Sequence, residues 1–388
     1  MSLISFVINY KYILLFYVLI LLILYANRRR FEFQAKVIAL YRTKIGISFM
    51  NRIAKKYNRA IILFGKIAVP LGYIGMAFIS FTIIKGLFDL FFKPGAPPVV
   101  APVLPGLPIM GMGMVFPFFK GIIALFIVVV IHEFFHGIMA GAYGIKIKNT
   151  GFAMFGPIPA AFVDPEEKEI KKKDSITQLS IFSAGPISNI FTAAIIILVL
   201  KLMFFGFTPL VQSTESGINI QEIDEGSPAS IAGVKEGVYN IVNGVRFNTT
   251  EQFVGLLENI KPGENILLGN ENGGYTINAI PNPEDKSKAY LGVHFVTEYN
   301  LGNSIFIKAA IQIFSIIQWI FILSIGLGLA NLLPLGPVDG GRMFKVAMNK
   351  YFGEKKGNQV WMKVSYLFFL IILILLLVPI FKSLFGIA

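Results

Sequence analysis

No cysteine occurs anywhere in the 388 residues, which removes disulfides, thiolate nucleophiles and thiolate metal ligands together. Any metal must therefore be held by His, Asp or Glu. Histidine is itself scarce, with three in the whole chain, so two in one short motif carry weight. No small-x-small cleavage site follows the first apolar stretch, and Arg28, Arg29 and Arg30 come directly after it, as for a retained anchor rather than a cleaved leader. No basic patch interleaved with aromatics lies on a polar stretch, which argues against a nucleic-acid partner despite the net charge of +13. No internal repeat of broken helices is evident, which argues against a transporter.

Apolar residues fill the gap. The chain is 55% hydrophobic with a mean hydropathy of +0.69, above the roughly 45–50% of soluble domains. Six runs are long enough for a hydrocarbon core of about 30 Å: 4–25, 62–88, 116–140, 176–205, 304–330 and 361–385. The expected fold is a polytopic α-helical membrane protein of about six transmembrane helices in the lipid bilayer, with a small β/α insert.

Charge sets an expected orientation. Residues 26–59 hold ten Lys/Arg against the single acid Glu32, and short basic loops stay cytoplasmic. Alternation then puts 141–175 and 342–360 inside, and 90–115, 206–303 and both termini outside. The 206–303 segment, with twelve acids and five bases, fits an outer location. The expected divisions are 1–60 (anchor and basic cytoplasmic loop), 61–206 and 303–388 (transmembrane core), and 215–297 (the insert). A multi-pass protein of a prokaryotic cell membrane is the expected localisation.

Within 215–297, short β-prone runs (Gly217–Ile220, Tyr239–Val242, Asn265–Leu268) alternate with turn signals at Asn243-Gly244, Lys261-Pro262-Gly263 and Asn272-Gly273-Gly274. Helical stretches fit at Ser227–Ala232 and Thr250–Asn259. With Gly226-Ser227-Pro228-Ala229 and Ala232-Gly233-Val234, the order resembles a PDZ domain. That resemblance implies strand addition of a peptide or protein segment; the alternative is a steric filter. His294, in the last strand, is expected to be structural.

The third run holds His132-Glu133-Phe134-Phe135-His136. Residues four apart share a helical face, so both imidazoles can ligate one tetrahedral zinc. Glu133 can then reach a water there as general base. Ionisable groups buried in a span are costly and usually functional. No acid follows closely. A distant one does: the fifth run ends in Asn331-Leu332-Leu333-Pro334-Leu335-Gly336-Pro337-Val338-Asp339-Gly340-Gly341, a helix break of the kind tolerated at membrane depth only in a protein interior or cavity. Asp339 is either the third zinc ligand or a helix N-cap.

These motifs, with Gly185-Pro186-Ile187-Ser188-Asn189 in the fourth run, resemble the site-2 protease family of intramembrane metalloproteases. The resemblance implies that His132, His136 and Asp339 bind Zn2+, that Glu133 is the base, and that Asn189 stabilises the oxyanion or orients substrate. Asn331 is either structural or a support for the metal loop. The implied substrates are membrane-spanning proteins, cut in regulated intramembrane proteolysis. Residues 142–165 look like a β-hairpin turned toward the membrane, able to pair with an unwound substrate. The Pro-rich loop 94–115 either gates entry or lies on the lipid surface. Two other readings stand: a membrane-anchored metalloprotease acting on non-helical substrates, and a non-catalytic PDZ-bearing scaffold.

Overall fold

The computed structural model describes residues 11–385 apart from 35–37, 94–97, 102, 110–113, 156–157, 213–214, 259, 272, 283–285, 287 and 301–304. Two compact units divide the chain, one of residues 1–198 with 315–388 and the other of 199–314. Among the described residues, five helices are long and apolar enough to cross a membrane. The first expected span, 4–25, is described only from residue 11, as the shorter helix α1 (Lys11–Ala26).

The stretch expected as a plain basic loop is ordered. It forms β1 (Glu32–Gln34), β2 (Ile38–Thr43) and the amphipathic helix α2 (Ile47–Lys56), which buries Met50 and Ala54. Next come α3 (Asn58–Phe92), a short ladder of β3 (Pro108–Ile109) with β4 (Met114–Val115), and α4 (Phe118–Ala142), which carries both motif histidines. The expected hairpin is β5 (Ile147–Phe155) with β6 (Ile158–Pro165). It extends into a four-stranded sheet ordered β1-β2-β5-β6, leaving β6 at one edge. Arg42 on β2 ties the sheet across its width: Nε donates to Glu32 Oε2 at 2.8 Å and Nη1 to Asp164 Oδ2 at 3.0 Å. That reach passes Gly151, the residue opposite Arg42 on β5, where the missing Cβ leaves room for the Phe162 ring beneath the guanidinium.

After α5 (Glu167–Lys172), α6 (Ser175–Gln212) carries Gly185 and Asn189. The second unit contains β7 (Glu215–Ile223), α7 (Pro228–Ile231), β8 (Gly237–Tyr239), β9 (Ile241–Val242), β10 (Val245–Arg246), α8 (Thr250–Glu258), β11 (Asn265–Asn270), β12 (Gly273–Asn278), β13 (Ile280–Pro281), β14 (Ala289–Tyr290) and β15 (Val293–Tyr299). Its sheets run β15-β7-β8 and β10-β9-β11-β12 around a core that includes Ile218, Ile220, Phe247, Phe253, Ile266 and Leu268. Asn243 and Gly244 both take positive φ (50° and 79°), as a two-residue hairpin turn between β9 and β10 requires. Ser227 caps α7, its Oγ accepting from Ser230 N at 3.2 Å. His294 pairs with Asp224 at 3.0 Å, and the same carboxylate accepts from Tyr290 Oη at 2.5 Å. These two partners hold Asp224 below the usual carboxylate range, and His294 serves to pin β15 to the end of β7.

The chain returns as α9 (Ile305–Asn331) and ends in α10 (Asp339–Phe385), which breaks at Gly353 (φ 74°). In the first unit, Leu332 at the start of the 332–338 turn and Met343 beyond it bury against Ala68, Val69 and Met76 of α3 and Leu179 and Ile187 of α6. Helix α3, which lies outside the motif-bearing runs, is therefore part of the wall that holds the motifs together.

Candidate metal centre

Three residues from two separate helices converge on one point. His132 and His136, one turn apart on α4, are 5% and 8% exposed. Asp339, the first residue of α10, brings Oδ2 to 3.0 Å from His132 Nε2 and 3.1 Å from His136 Nε2. The two Nε2 atoms are 3.2 Å apart. Donor atoms about 2.0–2.2 Å from a tetrahedral ion are separated by about 3.3–3.6 Å, a few tenths more than the separations here, so the residues fit a zinc-sized cation. Among the described residues this is the group of His and carboxylates able to hold a metal ion.

The ring orientations agree with that fit. His136 Nδ1 donates to the Ile181 carbonyl at 2.7 Å, which leaves the Nε2 lone pair aimed at the shared point. The Asn189 amide lies 3.2 Å from His132 Nδ1. The atom placed there is Nδ2, but with Nε2 turned to the same point Nδ1 carries the proton, and it is satisfied when the amide is turned over so that its oxygen accepts. Two imidazole lone pairs and a carboxylate facing one another repel unless a cation lies between them. The other polar atom of the Asn189 amide is buried without a partner among the described residues.

Glycine lets these groups approach. Gly185 on α6 faces the centre: a Cβ there would overlap His136 Nε2 and stand 2.7 Å from His132 Nε2. Gly340 lets the first turn of α10 sit on the preceding turn, since a Cβ would overlap the Leu332 carbonyl and come within 2.5 Å of Leu333 O. Asp339 is thus a helix-start residue whose carboxylate is drawn to the histidines rather than spent on capping. Asn331 donates to Leu327 O at 3.1 Å in its own helix, which is the structural alternative for that residue.

Glu133 neighbours the first histidine, and its Oε2 accepts from Val163 N on β6 at 2.9 Å. The outward N–H of an edge strand therefore fixes one oxygen of this carboxylate. Sequence reasoning brought His132, His136, Asp339, Glu133 and Asn189 forward, and all five lie in this cluster. It missed Ile181 and Val163, which act through backbone atoms and leave no trace in residue identity. Gly185 lay inside the recognised Gly-Pro-x-x-Asn stretch, but its contact with both imidazoles was not foreseen.

Similarity to known proteins agrees with this arrangement. An uncharacterized protein of Methanocaldococcus jannaschii is 29% identical over 355 residues, covering 90% of this chain and 88% of the relative. Residues 120–375, which include every member of the cluster, match the model of peptidase family M50. A buried two-histidine, one-aspartate cluster among membrane-length helices is what a membrane metallopeptidase needs, and the chain belongs to peptidase family M50, the site-2 protease family.

Proposed function

We propose that this protein is an intramembrane zinc metalloendopeptidase that hydrolyses peptide bonds of membrane-spanning protein substrates, in regulated intramembrane proteolysis. The observation that carries the reading is the convergence of His132, His136 and Asp339, with Glu133 beside them, on a helix of membrane-spanning length and composition. Zinc, when bound, polarises the scissile carbonyl and makes water a nucleophile near neutral pH. Glu133 takes the proton from that water and passes it to the leaving nitrogen. The Val163 N–H bond holds one carboxylate oxygen still and leaves the other for proton transfer. Asn189 orients His132 through Nδ1, and its remaining amide group is suited to steady the developing oxyanion.

The Asp339→Asn variant tests the metal assignment. It should lower zinc affinity on the order of 100-fold or more, since even partners of a ligand are worth 10–100-fold. Cleavage should fall in parallel at limiting zinc. Full zinc occupancy at the wild-type concentration would remove Asp339 from the ligand set.

A substrate helix must unwind before its amide can be attacked, and an open strand edge offers the unwound segment partners. The edge of β6 on either side of Val163, whose own N–H is taken by Glu133, fits that task, because a segment paired there lies beside that carboxylate. A photo-crosslinker at Ala161 should capture a single-span substrate, whereas one at Gln34 on the far strand should not. Equal capture at both would remove the edge-pairing step. The 215–297 unit is PDZ-like in its element order, and we assign it to the extracytoplasmic face as a peptide-binding or filtering module. The active site then lies toward the cytoplasmic half of the bilayer, as the basic 26–59 and 342–360 segments require.

A further inference from the structure

Away from the metal cluster, the first unit contains a cavity of about 650 Å³ lined by α5, the start of α6, the two halves of α10, and Gly336 and Pro337. Its volume is that of a small-molecule site. Four cations line it, Lys171, Arg342, Lys345 and Lys350, against the acids Glu167 and Glu354. Arg342 faces Glu167 at 3.7 Å, which leaves three lysines and one carboxylate. Two of the cations rest on rings rather than on acids. Lys345 Nζ is 4.5 Å from the Trp361 ring centre, and the Arg342 guanidinium 5.6 Å from that of Phe182.

The walls also hold polar atoms that meet no protein partner. Trp361 Nε1 and the amide oxygens of Asn349 and Asn358 are buried and unpaired among the described residues. Each belongs to a side chain lining this cavity, and a buried polar group left unmatched is destabilising. Surplus positive charge and an indole N–H suit an anion with several oxygens; the two amide oxygens are acceptors, so those side chains can add to the site only through their NH2 groups. Trp361 also stands where the apolar half of α10 begins, and tryptophan favours the membrane–water boundary.

We infer that this cavity binds a phosphate-bearing anion, with Lys345, Lys350 and Trp361 as its principal contacts. A phosphate offers several acceptor oxygens to ammonium and indole donors at once. Its source is either the headgroup of an anionic phospholipid, for which basic pockets between spans are suited, or a soluble phosphate. The inference is independent of the cleavage reading.

Thermal unfolding of the full-length protein in a neutral detergent tests it, with dioctanoyl phosphatidylglycerol, dioctanoyl phosphatidylcholine or inorganic phosphate as probe. Phosphatidylglycerol or phosphate should raise the midpoint of the wild type, and phosphatidylcholine should not. The Lys345→Gln/Lys350→Gln variant should need about tenfold or more probe for the same shift. The Lys355→Gln/Lys356→Gln variant, altered on the same charged segment but outside the cavity wall, should behave as wild type. Trp361→Phe keeps the ring and removes the N–H, so it should also weaken binding and serves if the double variant does not fold. Stabilisation by phosphatidylglycerol alone identifies a lipid site, and stabilisation by inorganic phosphate a soluble ligand. No shift in the wild type, or equal loss in the two double variants, overturns the proposal.

Discussion

Glu133→Gln should leave the protein folded and zinc-loaded while lowering peptide-bond cleavage by about 10³-fold or more, at the upper end of what a positioned acid–base group contributes. Glutamine keeps the shape and a carbonyl oxygen able to accept from Val163 N, so the β6 contact at 2.9 Å survives. The three ligand atoms belong to other residues, so metal content should not move. What disappears is the ability to take a proton from water and return it to the departing nitrogen. Zinc content by atomic absorption, read beside turnover of a single-span reporter, separates the two effects. A variant with wild-type turnover would remove Glu133 from the mechanism, and one that has lost its zinc would make it a ligand instead.

Gly185→Ala should do the reverse, keeping the fold and losing the metal. Within a helix, alanine is favoured over glycine by about 1 kcal/mol, so α6 itself is not harmed. The added Cβ, however, overlaps His136 Nε2 and stands 2.7 Å from His132 Nε2. Both rings must turn away. His136 cannot turn without breaking its bond to the Ile181 carbonyl, nor His132 without leaving Asn189. Zinc affinity should fall on the order of 100-fold, with circular dichroism unchanged and the unfolding midpoint of the metal-free protein equal or higher. Unchanged zinc affinity would mean that the cluster is looser than these contacts imply.

Most of this architecture is readable from the chain. Five apolar runs became helices of membrane length because a bilayer admits few alternatives to a self-satisfied backbone. The metal cluster was legible because imidazole, carboxylate and a four-residue spacing carry their chemistry in their identity. The association of 38–43 with 147–155 was not. Ile38–Thr43 lies in a basic stretch that reads as solvated loop, and its partner is more than 100 residues away. Strand pairing over such distances is decided by the assembled fold, not by local pattern. The consequence reaches the metal cluster, since the Arg42–Asp164 tie joins the strand whose Val163 N–H is bonded to Glu133. Likewise, α3 gave no sign of its role. Its contribution is a packing face for Leu332 and Met343, and packing partners are not written in either sequence alone.

The central claim is that the bond broken lies within a membrane-spanning segment. Mass spectrometry of the products from a single-span reporter, cleaved by the purified protein in lipid vesicles with and without a zinc chelator, tests it most directly. The account predicts one major cut inside the apolar span, abolished by the chelator and restored by added zinc. Cuts confined to the polar flanks, or cleavage that persists after the chelator has removed the zinc, would contradict it.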